Sequence, residues 1–383
     1  VETTGIPVGV SQAGMGSLNW DYPQMLGSVG ATGTTAANRI AKEADLIIGI
    51  GTRYSDFTTA SRTAFQNPDV KFININIASF DAHKHGSAIP VVADARETIN
   101  ELIPALSGFI VASELSNRIK NEVEFWNKTV DEAFVDKKLA KPSQTEIIGA
   151  VNSASDPKDI VICAAGSLPG DLHKLWRTRD PLGYHVEYAF SCMGYEIAAG
   201  VGIARWAKDR TPIVMVGDGS YLMMHTEIVS AVAEGLKFII VLIQNHGFAS
   251  IGHLSESIGS QRYGTKYRTH DKSGNNFESG DILPVDLATN AESLGINVIR
   301  IEETPSAIAD LKAAIAEAKA SSKATLIHIT SDPLLYSPNG EGWWDVPIAK
   351  VSTLKSTQDA LAKYEKEIKN QKYLFGKGAS ERN

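Results

Sequence analysis

Hydrophobic and polar positions along the chain fall into two interleaved patterns. Short, almost unbroken apolar runs recur at 6–10, 45–50, 70–77 and just before 92, and again at 159–164, 213–216, 238–244, 297–301 and 324–330. Runs of this length, rich in Val and Ile, predict strands of a parallel sheet buried on both faces. Between them, apolar residues spaced by three and four predict helices at 36–44, 96–106, 113–134, 194–208, 222–234 and 305–319. The clearest stripe is Leu115, Ile119, Val123, Trp126, Val130 and Phe134. The last helix has Thr304 placed as an N-cap and Pro305 at its first position. Strands alternating with helices predict an α/β fold, here two Rossmann-like parallel-sheet domains.

The two domains are separated by a polar stretch closing at Pro142. The expected division is a first domain over 1–107, a helical linker over 108–142, a second domain over 143–345, and a charged, largely helical tail over 346–383 that packs on the outside or on a neighbouring subunit. The glycine-rich polar run from Gly247 to Pro284 lacks periodicity and carries His253, Ser255, Glu256, Gln261, Arg262, Lys266 and Arg268. It reads either as a binding segment or as a partly disordered surface loop. No internal repeat is visible.

Composition narrows the function classes. With 383 residues, 43% hydrophobic and 21% charged, the chain is ordinary globular material for two cores. A net charge of -7 and the lack of any basic run argue against a nucleic-acid or anionic-membrane partner. No apolar run reaches the length of a membrane span. Cys163 and Cys192 both sit among apolar neighbours in the sequence and read as reduced core thiols of a cytoplasmic protein rather than a disulfide. The N-terminal Val-Glu-Thr-Thr-Gly has neither an initiator Met nor a signal-peptide pattern, and is expected to be the interior of a longer polypeptide.

The chemistry concentrates at Val216-Gly217-Asp218-Gly219-Ser220 and at Gln244-Asn245-His246-Gly247. Each follows an apolar run, and the stretch between them has room for one turn, one helix and one returning strand. In a parallel sheet both strand ends open at the same carboxyl edge, where α/β folds bind ligands. Asp218 and Asn245 would then offer hard oxygen donors to a divalent cation such as Mg2+, with phosphate oxygens completing its shell. The glycines let backbone approach those phosphates closely. Gly166-Ser167 after the 159–164 strand is a second candidate phosphate cradle, or an ordinary helix cap. Gly49-Ile50-Gly51 lacks the further glycine of a dinucleotide fingerprint and reads as a tight turn, which argues against a flavin or nicotinamide oxidoreductase.

Gly-Asp-Gly followed at this spacing by Asn resembles the cofactor signature of thiamine-diphosphate enzymes of the acetolactate-synthase-like type. Gln244 departs from the two consecutive asparagines common there. The resemblance implies thiamine diphosphate and Mg2+ as cofactors, with the metal held by Asp218, Asn245 and the carbonyl of Gly247. It implies Gly166, Ser167, Gly217, Gly219 and Ser220 around the diphosphate. Met193 in Phe190-Ser191-Cys192-Met193-Gly194-Tyr195 would prop the bent cofactor, and the Ser191 carbonyl would meet its amino group. Met193 as plain core filler is the bland alternative.

Longer stretches, His185 to Glu196, Asn245 to Ile251 and Leu254 to Arg262, with Gly51-Thr52-Arg53-Tyr54-Ser55-Asp56-Phe57-Thr58 in the first domain, are similar to the trihydroxycyclohexane-dione hydrolases of myo-inositol breakdown. This implies hydrolytic ring opening of a polyhydroxylated cyclic 1,2-diketone, a homodimer or homotetramer, and a pyrimidine-binding domain lying on another segment or chain, with this chain's first domain N-terminally truncated. His246, His253 and His185 are the candidate general acids or bases, with Gln261 a further candidate. A carboligase or decarboxylase acting on 2-oxo acids, and an inactive cofactor-binding fragment, remain as alternatives.

Overall fold

The computed structural model describes residues 1–86 and 89–372, so the end of the expected tail lies outside the described residues. Every strand ladder in it is parallel, as the apolar runs require.

The N-terminal part contains β1 (Val8–Val10), β2 (Met25–Ser28), α1 (Thr35–Glu43), β3 (Leu46–Ile50), β4 (Lys71–Asn76), α2 (Ser79–Ala82), β5 (Ile89–Val92) and α3 (Ala95–Ala105). Its strands form two small sheets, β1-β2 and β3-β4-β5, rather than one. The second strand is absent from the apolar pattern because only Met25 and Leu26 are hydrophobic. Gly27 there takes φ +85°, and a Cβ on it would strike Thr34. Helix α4 (Ser113–Ala133) follows the expected stripe and buries Ile119, Trp126 and Val130.

A capping box opens α5 (Gln144–Ala154): the Ser143 hydroxyl accepts from the Glu146 amide at 3.1 Å, and the Glu146 carboxylate accepts from the Ser143 amide at 3.0 Å. There follow β6 (Ile160–Cys163), α6 (Leu168–Leu175), β7 (Tyr184–Val186), α7 (Tyr195–Trp206), β8 (Pro212–Gly217), α8 (Asp218–Met223), α9 (Glu227–Ala233), β9 (Ile239–Gln244), α10 (Ala249–Ser257), α11 (Leu287–Ser293), β10 (Asn297–Arg300), α12 (Ala307–Ala320), β11 (Thr325–Thr330) and α13 (Lys355–Glu367). The six strands lie in the order β10-β11-β9-β8-β6-β7.

The central strands are buried on both faces. Ile213, Met215, Ile239 and Val241 face a core shared with α5, α6, α12, α4 and the β1-β2 pair; Val214, Val216, Ile240 and Leu242 face a second core with α7, α9 and α11. The first core therefore joins the N-terminal elements to the sheet through α4.

Some expectations need correction. The helix read over 222–234 is two short helices, broken at Met224–Thr226, and the first begins at Asp218 rather than at Leu222. Helix α12 starts at Ala307 behind Ser306, so Thr304 is not its N-cap; the Thr304 hydroxyl accepts from the Ser306 amide instead. The 247–284 run is not featureless: it holds α10 and then short antiparallel bridges, Gly247 to Lys266, Arg268 to Ile282 and Asp271 to Asn276. Cys163 is a buried thiol pushed up to about 12 by burial, but Cys192 is exposed, so only one of the pair belongs to a core. Both are free thiols. Among the described residues no helix is long and apolar enough to cross a membrane.

Because β9 is covered on both faces, truncating Ile240 leaves a cavity with no room to collapse. Ile240→Ala is expected to lower unfolding free energy by about 2–5 kcal/mol in chemical denaturation, with an unchanged denaturant slope.

Candidate cofactor and metal site

Adjacent strands β8 and β9 run in register, Val216 beside Leu242 and Gly217 beside Ile243, so their carboxyl ends emerge side by side. Asp218 follows the first and Asn245 the second. The Asp218 side chain is buried, and backbone amides surround it. Its Oδ2 accepts from the amides of Asn245 (3.1 Å) and Gly247 (3.3 Å), and its Oδ1 from that of Gly219 (3.0 Å). Burial nevertheless dominates, raising the carboxyl to about 6 against the pull of those amides. On the neighbouring turn, after β9, Asn245 Oδ1 is buried and has no hydrogen-bond partner. An unpaired buried acceptor next to a costly buried carboxylate is a donor set that a hard cation would satisfy.

The turn carrying Asn245 is strained and strapped down. His246 takes φ +58°, and its carbonyl accepts from the Tyr267 amide at 2.8 Å, while the Phe248 amide donates to the Thr265 carbonyl at 2.8 Å. Gly247 allows that approach, since a Cβ there would lie 2.2 Å from the Thr265 carbonyl oxygen. Gly217 and Gly166 differ: a Cβ on either would meet nothing within 4 Å, so both face open space. Gly219 lies against Met193 and Phe248, with a built Cβ 3.2 Å from the Met193 methyl and 2.9 Å from the Phe248 ring. The Ser220 hydroxyl is buried without a hydrogen-bond partner. Ser167 stands at the N-cap of α6 but does not cap it; its hydroxyl donates to Gln144 Oε1 at 3.0 Å. Ser191 is exposed with φ +51°, in a loop held by Glu187, whose carboxylate accepts from the amides of Phe190 (3.2 Å) and Cys192 (2.7 Å).

Family models match both parts of the chain. Residues 1–102 match the thiamine pyrophosphate enzyme central domain, and residues 164–329 match the thiamine pyrophosphate enzyme C-terminal TPP binding domain. The chain belongs to the thiamine pyrophosphate enzymes. It is similar to 3D-(3,5/4)-trihydroxycyclohexane-1,2-dione hydrolase 2 of Bacillus cereus, 37% identical over 393 residues, covering 96% of this chain and 60% of the relative. The similarly named hydrolases of Bacillus anthracis and Bacillus thuringiensis match at 37% identity with the same coverage. The chain thus spans 60% of the length of these relatives. Thiamine pyrophosphate with Mg2+ is the cofactor of this family's C-terminal domain.

Within this thiamine pyrophosphate enzyme the three candidate histidines stand on different elements with different partners. His246 belongs to the turn after β9 that carries Asn245. His185 lies on the edge strand β7, with its Nε2 2.8 Å from the Tyr195 hydroxyl. His253, on α10, is exposed and stacks on Tyr336 at 3.8 Å between ring centres. Burial lowers the pKa of all three.

Sequence reasoning missed the partner that distinguishes His246. His328 Nε2 donates to Gln244 Oε1 (2.5 Å), and Gln244 Nε2 donates to His246 Nδ1 (3.0 Å). With Nδ1 an acceptor, the proton of neutral His246 is directed to Nε2. The one signal available was Gln244 itself, standing where the family resemblance led us to expect Asn.

A proton and a cation would compete for Asp218. Above about pH 6 the carboxylate is free to bind, and below it each unit should cost about tenfold in Mg2+ affinity. Calorimetric Mg2+ titrations with thiamine pyrophosphate from pH 5 to 8 should show that break, and Asp218→Asn should abolish both the binding and the break.

Proposed function

We propose that this chain, assembled with a pyrimidine-binding domain as a homodimer or homotetramer, opens a cyclic 1,2-diketone by hydrolytic carbon–carbon cleavage. The reaction would take 3D-trihydroxycyclohexane-1,2-dione to 5-deoxy-glucuronate in myo-inositol degradation, in the cytoplasm, where the free thiols would stay reduced. In this reading residues 1–107 are the central domain, 108–142 a linker, 143–345 the cofactor domain and 346–383 a tail. The name carried by the relatives supports the substrate class. The observation in this chain that supports the chemistry is the unpaired, buried oxygen of Asn245, whose own amide donates to the Asp218 carboxylate across two adjacent strand ends.

Those residues fit the group the family uses. Asp218, Asn245 and the Gly247 carbonyl would hold Mg2+. Gly166, Ser167, Gly217, Gly219 and Ser220 would line the diphosphate, and the open space at Gly166 and Gly217 leaves it room. Met193, packed against Gly219, would support the cofactor rings, and Ser191 would offer its carbonyl. When bound, thiamine pyrophosphate supplies an electron sink for the bond that breaks.

The chain's own task is then to bind the ring, exclude stray water and move protons. Hydrolysis adds hydroxyl to the ketone carbon, which leaves as the carboxylic acid, and hydrogen to the carbon that departs from it. His246 Nε2 is the group we assign to deliver or accept that proton, because Gln244 fixes its tautomer and His328 fixes Gln244. His185 and His253 would contribute polar contacts to the substrate hydroxyls, with the 247–284 segment.

Purified full-length enzyme loaded with Mg2+ and thiamine pyrophosphate should convert the cyclic dione to an open-chain acid, followed by mass spectrometry. Turnover of pyruvate to acetolactate or acetaldehyde, with none of the dione, would replace this reading by carboligation or decarboxylation; cofactor binding without any turnover would leave a binding fragment. In the active enzyme, His246→Gln should lower kcat by about 10²–10⁴-fold while cofactor affinity stays within about threefold.

A further inference from the structure

A second buried carboxyl lies among the proposed cofactor segments and is used by none of the steps above. Glu196 sits in the first turn of α7 and is 1% exposed. A long acidic side chain so enclosed is rare unless it is hydrogen-bonded. Its two oxygens are divided between two separate loops: one accepts from the Ala165 amide at 3.3 Å, the other from the Gly194 amide at 3.0 Å. Ala165 immediately precedes Gly166-Ser167, and Gly194 immediately follows Met193. The buried Ser220 hydroxyl lies beside the same carboxyl. Gly194, at φ +92°, has no room for a side chain, since a Cβ would lie 2.8 Å from that of Met224. The loop therefore turns into α7 through a left-handed glycine; Glu187 holds its earlier part and Glu196 fixes its end at Gly194.

Resting on the thiamine pyrophosphate reading given above, we propose that Glu196 is a positioning residue: by accepting one backbone amide from each of two loops, it fixes Gly166-Ser167 and Met193 beside Ser220 as one preformed cofactor cradle. The side chain touches neither metal nor substrate in this role. Its effect is exerted through two segments that are distant in sequence and must meet the same molecule. Preformed amides and hydroxyls spare the cofactor the ordering that loose loops would require on binding.

The chemistry of substitution is specific. Glutamine preserves shape but presents an NH2 group where one of the two amides must donate, so one hydrogen bond becomes a donor–donor contact. The test is titration of full-length wild type, Glu196→Gln, Glu196→Ala and Asp218→Asn with thiamine pyrophosphate at saturating Mg2+, followed by tryptophan fluorescence or calorimetry. Glu196→Gln should weaken cofactor binding at least tenfold and Glu196→Ala at least as much. The KM for substrate at saturating cofactor should stay within about twofold.

Equal cofactor affinity in wild type and folded Glu196→Gln overturns the positioning role while leaving the cofactor reading intact. Absence of Mg2+-dependent binding in wild type, or its persistence in Asp218→Asn, overturns the cofactor reading itself. Should the variants fail to fold, hydrogen exchange in wild type decides. The Ala165 and Gly194 amides should be protected before cofactor is added, and exchange there as fast as in an open loop overturns the proposal.

Discussion

A carboxylate pulled out of water at the edge of a buried sheet is the constraint around which the site is arranged. Asp218 gains three backbone amides in exchange for lost hydration, yet burial still outweighs them and holds its carboxyl at about 6. Such a group is poorly satisfied until a cation arrives, and the Asn245 oxygen beside it is likewise unpaired. The strands behind them leave little freedom: β8 and β9 are fixed in register by neighbours on both sides and by side chains buried on both faces. Rigidity of the sheet is what allows an unfavourable pair of polar groups to be kept in place.

The apolar runs made the sheet legible. Five of the six strands of the large sheet were visible as apolar runs; in β6, β8, β9 and β11 this follows from burial on both faces, with Ile239–Gln244 the plainest case. The edge strand β7 was not, since Tyr184, His185 and Val186 are half-buried and mixed in character. Helix α10 was hidden by its Ser, Gly and His content, which gives no clear stripe. In the site, Asp218 and Asn245 could be paired from spacing alone, because the stretch between them holds one helical crossover, here broken into α8 and α9, and one returning strand. Glu196, Gln144 and His328 could not, because each reaches its partner through the tertiary fold rather than along the chain.

The same distinction separates the histidines. All three stand near motifs, but only His246 is placed by the turn that also bears the candidate ligands. His185 is turned to Tyr195, and His253 to Tyr336. Nearness in sequence to a motif says little about where an imidazole points; a hydrogen-bonded neighbour such as Gln244 says a good deal more.

The strap formed by Thr265 and Tyr267 has a consequence for how this protein can diversify. It stitches the root of the 247–284 segment to the backbone on either side of Gly247, where there is no space for even one extra carbon. Farther out, around Asp271 to Ser279, the chain is exposed and folds mainly on itself through short polar contacts. Lengthening or rewriting that tip would leave the anchoring stitches untouched. Descendants of this scaffold could therefore vary the periphery of the segment while the turn bearing Asn245 is inherited unchanged.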